Sequence, residues 1–194
     1  MRQFSQLGIE ALGARDPKLD AEVIQVAMHF FAGLGLAGLT ARINSIGDRG
    51  DRDRFREVLK GWFRPRLEAL CPLCRERYGR NVFRILDCKV ASCREQRRGV
   101  PTFLDHLSPE SGEHFAAVRH ALDLVGCPYR VDPEIVRGFD YYTHTVFEIP
   151  YEGLGARSAL CGGGRYDDLI EDLGGPSLGA IGFSIGMVPT LIAL

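Results

Sequence analysis

The chain opens on an alternation of apolar and polar residues, RQFSQLGIEAL over residues 2–12, which has the two-residue period of a β-strand. From Asp16 the period changes. DPKLDAEVIQVAMHFFAGLGL repeats apolar residues at helical spacing, with Asp16 as N-cap before Pro17 and with Gly33 and Gly35 as exit signals. LTARINSIGD, residues 39–48, alternates again and predicts a strand. RDRFREVLKGWFRPRLEAL is a helical pattern that Gly61 and Pro65 interrupt, and SPESGEHFAAVRHALDLVG predicts a helix capped by Ser108 and ended by Gly126. From Tyr129 onward strands are predicted at YRVD, THTVFEIPY, RSALCG and GAIGFSIG, with a helix at YDDLIEDLG and the start of another at the C-terminus. Gly162, Gly163 and Gly164 read locally as a tight turn. The sum is an α+β fold, a largely antiparallel sheet with helices on one face. Residues 1–48 and 127–194 form its discontinuous core and residues 49–126 a mostly helical insertion.

One predicted strand carries unusual chemistry. In VRGFDYYTHTVFEI, residues 136–149, regular alternation puts Tyr142, His144, Val146 and Glu148 on one face and Tyr141, Thr143, Thr145, Phe147 and Ile149 on the other. The second set reads as core. The first aligns a phenol, an imidazole and a carboxylate, with Arg137 just upstream beside the flexible Gly138, as a binding site would require.

Composition adds limits. With 194 residues, 45% of them hydrophobic, the chain can bury a substantial core. No apolar run reaches the roughly 18 residues of a membrane helix, and the N-terminus lacks a signal-peptide core, so a cytoplasmic location is expected. The net charge of −1 hides a division: residues 49–98 hold 15 Lys and Arg against 7 Asp and Glu, and the remainder 9 against 18. Thirteen of the fifteen are arginines, suited to bidentate phosphate contacts, whereas the plain alternative is a solvated helical face. Six cysteines in such a compartment argue for thiols or metal ligation over disulfides. Cys71 and Cys74 are spaced like one half of a zinc knuckle, and Cys88 and Cys93 supply a second, wider pair. No P-loop, G-x-G-x-x-G, G-x-S-x-G or H-E-x-x-H signature is present.

Read together, RQFSQLGIEALG, VRGFDYYTHTVFEI and LCGGGRYDDLIEDLGGPSLGAIGFSIG resemble the catalytic domain of histidyl-tRNA synthetases, class II aminoacyl-tRNA synthetases. RNVFRILDCKVASC and HFAAVRHALDLVG resemble that family's insertion region, so the likeness covers nearly the whole chain. It implies a class II antiparallel sheet flanked by helices, and the joining of histidine to tRNA through histidyl-adenylate, with ATP and Mg as family substrates. By resemblance, Gln6 lies near the α-amino group of bound histidine, Glu10 and Tyr142 face its two imidazole nitrogens, and Tyr166 and the backbone at Gly182 and Phe183 line the same pocket. Arg137 corresponds to the catalytic arginine at the ATP α-phosphate, and Arg2 is a second ATP-binding candidate; Arg165 would join them only if the chain alone proved active. The basic 49–98 segment would face tRNA.

Against the family pattern the chain departs at three places. It lacks motif 1, which forms the dimer interface, and begins inside motif 2 after the arginine that clamps ATP. It also stops before the anticodon-binding domain. Where motif 3 ends Gly-x-Glu-Arg, this sequence has Gly186-Met187-Val188-Pro189. Two functions are therefore expected: a ligase catalytic domain, weak by itself and completed by a homodimer partner or companion chain, or a catalytically impaired relative that binds histidine as a regulatory module.

Overall fold

A computed structural model describes residues 3–135, 141–154 and 159–194. The strands are β1 (Gln6–Leu12), β2 (Ala41–Ser45), β3 (Tyr129–Val131), β4 (Thr143–Pro150), β5 (Ala159–Arg165) and β6 (Ala180–Gly186). The helices are α1 (Pro17–Gly33), α2 (Arg49–Phe63), α3 (Pro72–Arg80), α4 (Ala91–Gln96), α5 (Pro109–Leu124), α6 (Leu169–Asp172) and α7 (Met187–Ala193). Among the described residues, six strands form one sheet in the order β1-β6-β5-β4-β2-β3, antiparallel except for the β2–β3 pair.

Local chemistry sets the helix starts. Asp16 accepts a hydrogen bond from the Lys18 amide at 2.9 Å ahead of Pro17, and Ser108 accepts one from the Ser111 amide at 3.2 Å ahead of Pro109. Asp48 and Asp51 form a reciprocal capping box at α2. Gly61 does not break α2, because a single glycine costs only about 1 kcal/mol in a helix interior and Phe55, Leu59 and Phe63 anchor its apolar stripe. The chain leaves the helix at Arg64, and Pro65 opens a 3-10 turn over Arg64–Ala69.

Two cores flank the sheet. On one face α1 and α5 bury Ile24, Phe31, Phe115, Val118 and Leu122 against Ile43, Phe147, Ile149, Ile181 and Phe183. On the other, insertion residues Phe55, Leu59, Phe63, Ile85 and Phe103 close over Val146 of β4 and over Tyr142, which precedes that strand. Although α5 falls within the 49–126 stretch, its apolar face belongs to the first core. Burial of each large apolar side chain contributes about 1.5–3 kcal/mol, so both cores weld the insertion to the sheet.

The expected tight turn at Gly162–Gly164 is instead part of strand β5. A Cβ on Gly163 would collide with the Gly182 carbonyl, and one on Gly164 would stand 2.8 Å from the Tyr142 ring. The glycines thus serve close approach across a sheet, which local sequence cannot distinguish from a turn.

The regular alternation expected through Tyr142 and His144 also fails. Pairing of β4 with β5 jumps from Thr143↔Arg165 to Val146↔Gly164, a bulge in which His144 takes φ +47°. The His144 amide donates to the Gly47 carbonyl at 2.7 Å, and its ring stacks on His114 of α5 with centroids 4.7 Å apart. His144 therefore faces the α1/α5 core, while Tyr142 faces the insertion.

Candidate active site

On one face of β1, β6 and β5, glycines replace side chains along a row of the sheet. Glu10 pairs with Gly182, and Gly182 with Gly164, so the three form a row across adjacent strands. A Cβ on Gly182 would strike the Glu10 carboxylate. Glu10 stands at one end of this floor, and the buried Tyr142 ring covers Gly164 at the other. Two strand spacings, about 10 Å, separate the backbones of Glu10 and Gly164. The Glu10 carboxylate itself reaches over Gly182 and the Tyr142 ring lies over Gly164, so a carboxylate and a phenol stand over neighbouring positions of the row.

Tyr166 completes the wall. Its hydroxyl donates to Glu10 Oε2, and burial, reinforced by this carboxylate, pushes the phenol's pKa above its usual range. It therefore stays a donor at neutral pH and fixes one carboxylate oxygen, leaving the other for a ligand. Tyr141, which the alternation assigns to the core, packs partly against the second core and also lies 4.7 Å from the Tyr142 ring and meets the Tyr166 ring edge-on at 5.9 Å. Sequence reading missed this third wall residue, and no local signal separates it from its neighbour.

Of the remaining candidates, Gln6 shares the Glu10 face of β1 but pairs with Gly186, four residues along the strand. The Phe183 side chain lies on the opposite face, edge-on to Phe147 at 6.4 Å, so only its backbone is on the pocket side. Arg137 and Arg2 lie outside the described residues.

Arg165 does not belong to the site. It is fully buried, and pairs with Asp20 and, at 2.9 Å, with Asp167, while also donating to the Ala14 carbonyl. Strand alternation explains this: Gly164 faces the pocket, so Arg165 must point into the helices. Burial alone would raise the Asp20 carboxyl's pKa, but hydrogen bonds from His114 and Arg165 outweigh it and hold the group below its ordinary range.

Beside Tyr141, α2 forms a cleft of about 310 Å³ lined by Arg49, Arg52, Arg56, Asp168 and Asp172. Arg52 donates to the Tyr142 carbonyl at 2.8 Å, and Arg49 bridges Asp168 and Asp172 at 3.3 and 2.8 Å. The signal for these arginines is their spacing on one face of α2, which a segment-wide charge count blurs. In the insertion, the Sγ atoms of Cys71, Cys74, Cys88 and Cys93 all lie within 4.8 Å of one another.

The family model described as "Histidyl-tRNA synthetase" matches residues 80–189, more than half the chain. The chain belongs to the histidyl-tRNA synthetase family. It is 50% identical over 191 residues to the histidine–tRNA ligase of Desulforudis audaxviator, covering 98% of this chain and 46% of that protein. It is 48% identical over 194 residues to that of Moorella thermoacetica, covering 100% and 46% respectively. The crystal structure of apo Staphylococcus aureus histidyl-tRNA synthetase matches with a TM-score of 0.79 at 39% identity, over 100% of this chain and 47% of that one. A Bacillus halodurans structure described as an ATP phosphoribosyltransferase regulatory subunit/histidyl-tRNA synthetase shares the fold, with a TM-score of 0.64 at 24% identity. The chain spans about half the length of these curated histidyl-tRNA synthetase relatives. Its sheet with flanking helices is the architecture of the family. Among the described residues, no helix is long and apolar enough to cross a membrane.

Proposed function

We propose that this chain carries the histidine-activating centre of a histidine–tRNA ligase. The observation that carries the reading is the glycine floor between Glu10 and Tyr142, with Tyr166 orienting the carboxylate. An imidazole differs from other small rings by having two polar nitrogens at a fixed angle. A carboxylate that accepts from one N–H and a phenol that meets the other nitrogen select it, because a ligand lacking either nitrogen covers a polar group without pairing it. Gln6 would meet the α-amino group. The carboxylate of bound histidine is itself a nucleophile for the ATP α-phosphorus, so no general base is needed. Charge developing on the phosphates calls for a preorganised guanidinium, the role assigned to Arg137 by resemblance. Magnesium accompanies ATP, and the four-cysteine cluster offers a place for zinc. The arginines of α2 and the basic segment that follows supply phosphate contacts for tRNA.

A second reading is a histidine-binding regulatory module, favoured by Val188 and Pro189 at the positions where the family pattern has Glu-Arg. Calorimetric titration with histidine, and then with ATP, separates the two. Binding of both supports the ligase domain, and binding of histidine alone supports the module. Absence of histidine binding in folded protein contradicts both.

A further inference from the structure

The four cysteines of the insertion come from three separate pieces of chain. Cys71 precedes α3 and Cys74 lies in its first turn. Cys88 follows the 3-10 turn Val82–Ile85, and Cys93 lies within α4. Nothing in helix periodicity brings these pieces together, yet their sulfurs converge within 4.8 Å. Cys71 and Cys88 are 3.9 Å apart at Sγ. A disulfide requires about 2.05 Å. Four thiolates at about 2.3 Å from one tetrahedral ion are about 3.8 Å from each other, close to the separation found here. The Cys71 amide also donates to Cys93 Sγ at 3.3 Å, as suits a sulfur carrying charge.

We propose that Cys71, Cys74, Cys88 and Cys93 bind one zinc ion as thiolates, making it the tie between the two halves of the insertion. All-sulfur tetrahedral ligation fits zinc or iron. Zinc is favoured because Cys74, Cys88 and Cys93 are buried and all four positions are taken by protein, the closed arrangement of a structural site. Loading exchanges four thiol protons for the ion and leaves a local charge of −2. Arg97 stands beside the cluster and can offset part of that charge, whereas Lys89 pairs with Asp87 at 3.1 Å. Arg97 also donates to the Cys88 carbonyl at 3.2 Å. Lys89, Arg94, Arg97 and Arg98 then line a groove of about 850 Å³ between the insertion and Arg42 of the sheet. The ion would set the position of that wall.

The test is the metal content of the purified chain, expressed with zinc available and without chelators, followed by cobalt replacement. One zinc per chain is expected, and the cobalt form should show the charge-transfer and d–d bands of a tetrahedral tetrathiolate. Cys93→Ser should lose the metal and lower the unfolding temperature. If that variant does not fold, the cobalt spectrum of the unsubstituted protein decides alone. Iron in place of zinc, a disulfide among the four, or four thiols reacting readily in folded protein with no metal would overturn the proposal. None of these readouts uses histidine, ATP or RNA, so the metal site stands or falls separately from the ligase reading.

Discussion

At the scale of single residues, the pocket depends on what is missing as much as on what is present. Gly182→Ala inserts a methyl group where the Glu10 carboxylate lies. It is expected to reduce histidine affinity at least tenfold and, because the same methyl group would stand 2.5 Å from the Ile9 carbonyl, to loosen the pairing of β1 with β6. Tyr142→Phe removes one hydroxyl and should cost about 1–3 kcal/mol of histidine binding if that hydroxyl pairs with the imidazole. Unchanged affinity would make the ring a packing element only. Arg165 offers the contrast: Asp20→Ala leaves its guanidinium buried with half its compensation gone, for an expected loss of about 3–5 kcal/mol in stability measured by denaturant unfolding. The sequence singled out Glu10, Tyr142 and Tyr166 through ordered motifs. It could not tell Arg165 from a phosphate ligand, because a strand residue's face depends on register, and register is a tertiary property.

Elements show where legibility ends. Helices α1 and α5 were readable because their caps, Asp16 with Pro17 and Ser108 with Pro109, are local hydrogen-bond devices. The β4 bulge was not readable, since its cause lies elsewhere: His144 pairs through its backbone with the segment after β2 and through its ring with α5. Asparagine tolerates positive φ and β-branched residues do not, so His144→Val should destabilise the protein more than His144→Asn, by about 1–2 kcal/mol. Equal losses would mean that the ring contact, not the backbone, decides the site. Strand β5 was half readable. Its first residues read as a strand and its glycines as a turn, and only the packed sheet shows that the glycines admit the Gly182 carbonyl and the Tyr142 ring.

For the molecule as a whole, titration and charge give two linked expectations. Burial, with the neighbouring His114, lowers the His144 pKa below its ordinary value of 6.5, so the fold prefers the neutral ring. That contribution is present above pH 6.5 and is lost as pH falls through the window below it. The lowered Asp20 adds stability above its ordinary 3.8 that is lost on further acidification. The unfolding temperature should therefore drop between pH 7 and 5, and less so in His144→Asn.

The basic segment, set in an acidic body, should bind tRNA with a steep salt dependence. About six phosphate contacts would give ~10³-fold weaker binding over a fourfold rise in salt, whereas a solvated face would show little. Both expectations concern surroundings; the central claim is that the glycine-floored pocket recognises an imidazole. Isothermal titration of the protein with histidine, and with phenylalanine as a ring without nitrogen, tests it most directly. Saturable histidine binding that is lost in Gly182→Ala, with no detectable phenylalanine binding, is the expected result. Equal binding of the two amino acids, or histidine binding that survives Gly182→Ala unchanged, would contradict it.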